Sequence, residues 1–265
     1  MEHVCAALSP LAPCLCGWMT CCDSRVLWHG DDDDTPDDAI ALTIDDVPRN
    51  GTKIADVLQM MLLLRQRRAR ATFFVFFDQL NPMSSDSAEF NLLVNTFVSE
   101  VKSGGHEVGL HFPGRWGQQM SLTELRWRTE QSLQIAQRRF NLPTRYVRMP
   151  GGFSTPAQVT LLESYGLKVV NGTAYPGDAD VCQCLSAMVI GRCAARLADG
   201  DGRIAILHDD KRLIAKLASF LAQLQLQGKR AVTLSDLFGP PRMTPTQAVR
   251  ATDKPMETHA LFLPF

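Results

Sequence analysis

Two adjacent carboxylates, Asp45 and Asp46, two histidines, His111 and His208, one arginine, Arg148, and a later aspartate, Asp178, stand at or just beyond the ends of short β-branched and aromatic runs. Together they suit the hydrolysis of an amide. An amide carbonyl resists water, so its cleavage calls for a polarising cation, a base for the water and an acid for the leaving amine. Neighbouring residues on a strand point apart, which lets one carboxylate of the pair bind metal while the other keeps its lone pairs for a proton. Taken singly, each residue has a plainer explanation. A D-D pair commonly ends a strand in a turn, a lone histidine is often a satisfied interior group, and an arginine usually binds a surface carboxylate. Asp180 competes with Asp178 for the later acidic position.

The elements that must position these residues alternate along the chain. Strands are expected at 39–46, 71–77, 106–111, 146–150, 168–173, 203–209 and 231–237, and helices at about 52–67, 87–103, 121–140, 155–165, 184–198 and 211–227. Ser121 followed by Glu124 reads as a capping box, while Ser103-Gly104-Gly105, Gly166 and Gly228 read as helix stops. Strands alternating with helices predict an α/β fold with a parallel sheet, and about seven such strands suit a distorted (β/α) barrel better than a small open sheet. In a parallel barrel the carboxyl ends of the strands gather on one face, so the polar residues above are expected to converge there.

With 265 residues, 45% hydrophobic and a formal net charge of −1, the chain can bury one sizeable core. That charge gives no reason to expect a nucleic acid or an anionic membrane as partner. The basic run Arg65, Arg67, Arg68 and Arg70 closes a predicted helix, where positive charge suits the dipole. Residues 1–38 are expected to be a leader or disordered segment, 39–239 the folded domain and 240–265 a C-terminal tail. The leader is apolar and cysteine-rich but lacks the basic start of a secretory signal, and Pro10 and Pro13 break its apolar run, so no transmembrane segment is expected. Five of the eight cysteines lie in it, none in a C-x-x-C pair, which favours free thiols over a structural zinc site, with acylation of the leader as the alternative.

Five segments resemble, in order, the motifs of the polysaccharide deacetylase family. LTIDDVP resembles T-F-D-D-G-P, GHEVGLH resembles G-H-E-I-G-N-H, RMPGG resembles R-x-P-x-G, TAYPGDAD resembles the aspartate motif, and ILHDD resembles L-x-H-D. The resemblance spans about residues 39–237 and looks closest to fungal chitin deacetylase-like members with a glycine-rich third motif and a Tyr-Pro segment before the fourth aspartate. It implies that Asp45 is the general base, Asp46 and His111 are metal ligands for zinc or a similar divalent ion, Arg148 is the partner of the base, His208 is the general acid and Asp178 orients His208. Tyr175, Pro150, Gly151 and Gly152 are then expected to meet the substrate, the glycines because they let a sugar approach backbone amides. The implied partner is an N-acetylated, chitin-like glycan, and the implied location is secreted or cell-surface.

The sequence departs from that pattern where the family places a third metal ligand. Position 115 is arginine, and a guanidinium beside a divalent ion is repelled by it, while Asp46 and His111 alone would hold metal poorly. Phe112-Pro113-Gly114 reshapes the turn, and Asp178, Glu107 or water are candidates to complete the site. Val47, Leu110 and Gly177 replace a glycine, an asparagine and a polar residue of the family motifs. Three readings follow: a metal-dependent deacetylase; a metal-free, allantoinase-like amide hydrolase in which Arg115 stabilises the oxyanion; and a binding protein that keeps the sugar groove without turnover.

Overall fold

The computed structural model describes residues 25–27, 36–48, 53–80, 88–114, 120–141, 143–172, 174–175, 186–198 and 203–239. Seven strands form one parallel sheet: β1 (Ala39–Val47), β2 (Thr72–Val75), β3 (Glu107–His111), β4 (Tyr146–Arg148), β5 (Lys168–Val169), β6 (Ile204–His208) and β7 (Arg230–Val232). The strand order is β5-β4-β3-β2-β1-β6, with β7 paired to the start of β1. The helices are α1 (Ile54–Gln66), α2 (Ala88–Ser103), α3 (Leu122–Ile135), α4 (Pro156–Ser164), α5 (Ala187–Ala198), α6 (Leu213–Leu226) and α7 (Leu234–Phe238). The expected α/β architecture is therefore present. Among the described residues no helix is long and apolar enough to cross a membrane.

The sheet curls because the chain leaving β5 reaches its far edge. Val170 pairs with Leu27 beyond β5, whereas Ala174 pairs with Ala205 in β6, the strand at the opposite end of the order. For this reason the run expected as a strand over 168–173 keeps only two residues of regular strand. Strand alternation then divides side chains between the barrel interior and the helices. On β1, Ile40, Leu42 and Ile44 join the large core beneath the helices, while Ala39 and Ala41 join a second cluster with Phe74, Tyr146, Val170 and Ile204. Burial on both faces explains why β1 reads as a nearly unbroken apolar run.

Several boundaries differ from expectation for identifiable reasons. The last expected strand, 231–237, is half helix: Thr233 Oγ1 accepts from Asp236 N at 3.1 Å while Thr233 N donates to Asp236 Oδ2 at 3.0 Å, which starts α7. Ser121 Oγ accepts from Glu124 N, but the Glu124 carboxylate takes Arg128 Nε at 3.0 Å instead of completing the box. The basic run that closes α1 makes specific contacts: Arg65 pairs with Glu100, Arg67 donates to Gln225 and Arg70 pairs with Asp236. Within the expected leader, Arg25 to Leu27 belong to the folded unit: Val26 is buried, Leu27 covers the exposed edge of β5, and Arg25 donates to Thr160 and Glu163. The expected tail, 240–265, lies outside the described residues.

Candidate active site

Register brings the polar strand ends together. Asp45 on β1 lies opposite His208 on β6, and His111 on β3 lies opposite Arg148 on β4. All four are the last or nearly the last residues of their strands, so they share the carboxyl rim of the sheet. The pairing of β1 with β2 slips between Ile44 and Val47, and Asp46 adopts φ 66°, a region that aspartate tolerates better than most residues. This irregularity turns Asp45 and Asp46 toward different partners.

Asp45 is 3% exposed, and its Oδ1 accepts from Arg148 Nη1 at 2.6 Å, while its Oδ2 lies 3.9 Å from His208 Nε2. Arg148 is held on every side. Nη1 also donates to Thr43 Oγ1 at 2.8 Å, Nε to the Val170 carbonyl at 3.3 Å and Nη2 to the Asn171 carbonyl at 3.2 Å, and the guanidinium stacks 4.2 Å above the Phe74 ring. Burial pulls the guanidinium below its ordinary pKa, and the Asp45 carboxylate opposes that pull. The group stays a cation, because an arginine has a margin of several pH units. One oxygen of Asp45 is thus fixed by a permanent charge and the other faces the histidine.

The second carboxylate faces the other histidine. His111 Nε2 lies 3.4 Å from Asp46 Oδ1, and the ring is fixed from behind by a 2.7 Å hydrogen bond between Nδ1 and the Arg148 carbonyl and by stacking on Phe76 at 4.9 Å. A ring that donates from Nδ1 to a carbonyl keeps its Nε2 lone pair for a cation. Two ligands about 2.0–2.1 Å from a tetrahedral ion stand roughly 3.4 Å apart, so this pair fits two corners of such a site. Among the described residues no group of three or more histidine, cysteine, aspartate or glutamate side chains is placed to hold a metal ion.

The remaining expected residues fall into three groups. Tyr175 lies beside His208 with its ring edge-on at 5.5 Å, and it is 37% exposed at the rim. Pro150, Gly151 and Gly152 form a tight turn just after β4, with both glycines at positive φ (62° and 74°) and Gly114 close against Pro150, where an added Cβ would fall 3.0 Å from the proline ring. Asp178 and Arg115 lie outside the described residues. Glu107, one candidate to complete a metal site, is corrected: it faces the barrel interior as alternation predicts, but four residues of strand put it about 13 Å from the rim. There it accepts from Thr72 Oγ1, Ser235 N and Ser235 Oγ at the opposite end of the barrel, and burial raises its carboxyl pKa.

Other residues at the site carry little signal in sequence. Thr43 relays Arg148 to the Ala205 carbonyl through a 2.8 Å bond, and Gly109 leaves room for the Phe74 ring, since a Cβ there would fall 2.7 Å from it. Lys216 on α6, fully buried, donates to the His208 carbonyl at 2.8 Å and pairs with Asp210 at 3.3 Å. A threonine in a strand or a lysine in a helix announces nothing by its type. Their roles follow from three-dimensional neighbours alone.

Known proteins share this fold. A peptidoglycan-N-acetylglucosamine deacetylase from Bacillus cereus is 28% identical over 208 residues, which cover 75% of this chain and 87% of that protein. A solved peptidoglycan N-acetylglucosamine deacetylase bound to a naphthyl N-hydroxybenzamide superposes with a TM-score of 0.64 at 20% identity, covering 82% of this chain and 94% of that one. A pseudoenzyme of the CE4 family from Bacillus anthracis has the same fold, with a TM-score of 0.59 at 17% identity, and the match covers 76% of this chain and 65% of that one. The family model for polysaccharide deacetylase matches residues 32–170, more than half of the sequence and most of the strands that carry the rim, and the chain belongs to the polysaccharide deacetylase family.

Proposed function

We propose that this protein is a hydrolase that removes N-acetyl groups from chitin-like or other N-acetylglucosamine-containing glycans. The observation that carries the reading is the Asp45 carboxylate, with one oxygen fixed by Arg148 at 2.6 Å and the other 3.9 Å from His208, on the rim that also holds Asp46 and His111. Asp45 Oδ2 takes a proton from water, and the resulting hydroxide attacks the acetyl carbonyl carbon. Arg148 holds the Asp45 carboxyl aimed while the negative charge moves onto the carbonyl oxygen. His208 then gives its proton to the nitrogen as the C–N bond breaks, leaving acetate and a free amine. Tyr175, against the His208 ring, and the turn Pro150–Gly152 border the space where the sugar would lie, and Asp178 is the proposed orienting partner of His208.

Asp46 and His111 would hold a divalent ion, zinc by preference for a carboxylate and an imidazole at this spacing. When bound, such an ion polarises the acetyl carbonyl and stabilises the oxyanion. Metal analysis of the purified protein together with acetate release from chitooligosaccharides, with and without chelator, tests the reading. The expected result is bound metal and chelator-sensitive acetate release. Acetate release at the wild-type rate from Asp45→Asn refutes the assignment of the base. A second reading, a metal-free amide hydrolase, rests on arginine at position 115; it requires activity that survives chelator and is abolished by Arg115→Ala.

A further inference from the structure

Asn171, just beyond β5, is 3% exposed and joins three parts of the rim that sequence keeps far apart. Its backbone N–H donates to the Leu27 carbonyl at 2.9 Å, its carbonyl accepts from Arg148 Nη2 at 3.2 Å, and its side-chain Nδ2 donates to the Gly152 carbonyl at 2.9 Å. The one remaining polar atom, Oδ1, is buried and has no hydrogen-bond partner among the described residues. Gly152 sits at φ 74° directly against this carboxamide, and a Cβ there would fall 3.3 Å from Asn171 Oδ1. The side chain and the turn are therefore fitted to one another.

An unpaired buried oxygen is a net loss to stability, and an apolar side chain of similar volume would avoid it. What the carboxamide supplies, and leucine cannot, is the hydrogen bond to Gly152. That bond fixes the second glycine of the turn Pro150–Gly152 in a conformation that has no stiffness of its own, because two successive glycines at positive φ leave the backbone free to move. The same residue's carbonyl holds the guanidinium that holds Asp45. We infer that Asn171 is a positioning residue that sets the glycan-facing turn Pro150–Gly152 at a fixed distance from the Asp45–Arg148 pair. This rests on the reading of the site as one that binds an N-acetylated glycan.

The mechanism separates the two bonds that matter. Substituting the side chain removes the tie to Gly152 but leaves the backbone carbonyl that accepts from Arg148. Binding should therefore weaken while the acid-base chemistry stays in place. For Asn171→Leu in the full chain, KM for chitotetraose is expected to rise about five- to tenfold, the loss expected for one hydrogen bond. The kcat and the pH profile should stay as in the wild type, with a melting temperature equal to or above the wild type's. A merely structural role predicts the opposite pattern: a lower melting temperature with unchanged KM in the folded fraction.

Unchanged KM, or a loss confined to kcat, overturns the inference. Should Asn171→Leu fail to fold, Asn171→Ala removes the carboxamide without adding bulk and is read by the same criteria. Titration calorimetry with chitotetraose keeps the inference separable from the catalytic reading. If the wild type binds the tetramer without releasing acetate and Asn171→Leu weakens that binding about five- to tenfold, the catalytic reading falls and the inference stands. If the wild type releases acetate and the variant matches it in KM and affinity, the inference falls and the catalytic reading stands. If the wild type neither binds the tetramer nor releases acetate, both fall.

Discussion

Replacing Arg148 with leucine tests the electrostatic centre of the site. The guanidinium and the Asp45 carboxylate meet at 2.6 Å, with their side chains 3% and 4% exposed. Two unit charges at that distance attract by about 6 kcal/mol at an effective dielectric near 20, and the cost of taking both ions out of water offsets most of this. Removing the cation alone leaves the carboxylate's share of that cost without the attraction, and it strips the Thr43, Val170 and Asn171 oxygens of a donor. Arg148→Leu is therefore expected to destabilise the fold by about 3–5 kcal/mol. For a domain of this size that corresponds to a fall in Tm of roughly 6–20 °C.

The double variant Asp45→Asn/Arg148→Leu makes the test specific. It removes both charges, so its Tm should recover most of the loss seen in Arg148→Leu, yet it should release no acetate because the proposed base is gone. Differential scanning calorimetry of the wild type, both single variants and the double variant reads the coupling directly. An Arg148→Leu protein that melts within about 3 °C of the wild type refutes the reasoning, and so does a double variant no more stable than the weaker single one.

Three further outcomes are expected. Burial, with Arg70 and Arg65 nearby, holds His106 down to about 4, and its neutral ring accepts from Ala71 N at 3.2 Å. Below its ordinary value of 6.5 the unfolded chain takes a proton that the folded chain refuses, so stability present above pH 6.5 is lost as the pH falls toward 4, by about 3 kcal/mol in all. Glu107, raised by burial, acts in the opposite sense, so the comparison is made against His106→Asn; urea unfolding near pH 7 and near pH 4.5 should show a smaller loss in the variant, and equal losses refute the assignment. Gly109→Ala would push the Phe74 ring out from under Arg148, and acetate release from the folded variant should fall about tenfold to a hundredfold, while an unchanged rate shows that the ring does not support the arginine. Asp46→Ala removes one of two converging donors, so metal analysis should find less bound divalent ion than in the wild type, and equal content would place the metal elsewhere.

Much of the fold was legible because central parallel strands, buried on both faces, must be written as apolar runs. β1 and β6 are such runs, and a polar residue that ends one, Asp45 or His208, stands out for that reason. Strand alternation puts Glu107, Gly109 and His111 on one face of β3. What it could not convey is depth along the barrel, so Glu107 looked available to the metal site while it serves the opposite end. Register is a property of pairs of strands, and neither strand carries it alone. Hence the opposition of Asp45 to His208, the slip that redirects Asp46, and the supporting contacts of Thr43, Phe74, Asn171 and Lys216 emerge only when the strands are laid side by side. The α7 boundary was the exception in principle: Thr233 and Asp236 have capping-box spacing, and the β-branched run before them masked it.

The two halves of the site rest on different supports. Asp45 is held by Arg148, and Arg148 by a threonine, two backbone carbonyls and an aromatic ring, all drawn from regular strands or their immediate ends. Asp46 instead depends on the irregularity near the end of β1, where it adopts φ 66°, and it meets His111 at the end of β3. A hydrogen bond from His111 Nδ1 to the Arg148 carbonyl at 2.7 Å ties the two halves together. The two halves are also joined because Asp45 and Asp46 are consecutive residues of β1 and His111 lies opposite Arg148 in the register of β3 and β4. Asp45→Asn and chelation therefore perturb neighbouring but different groups of this protein, and measuring acetate release after each, and after both, reads how far the two halves are coupled.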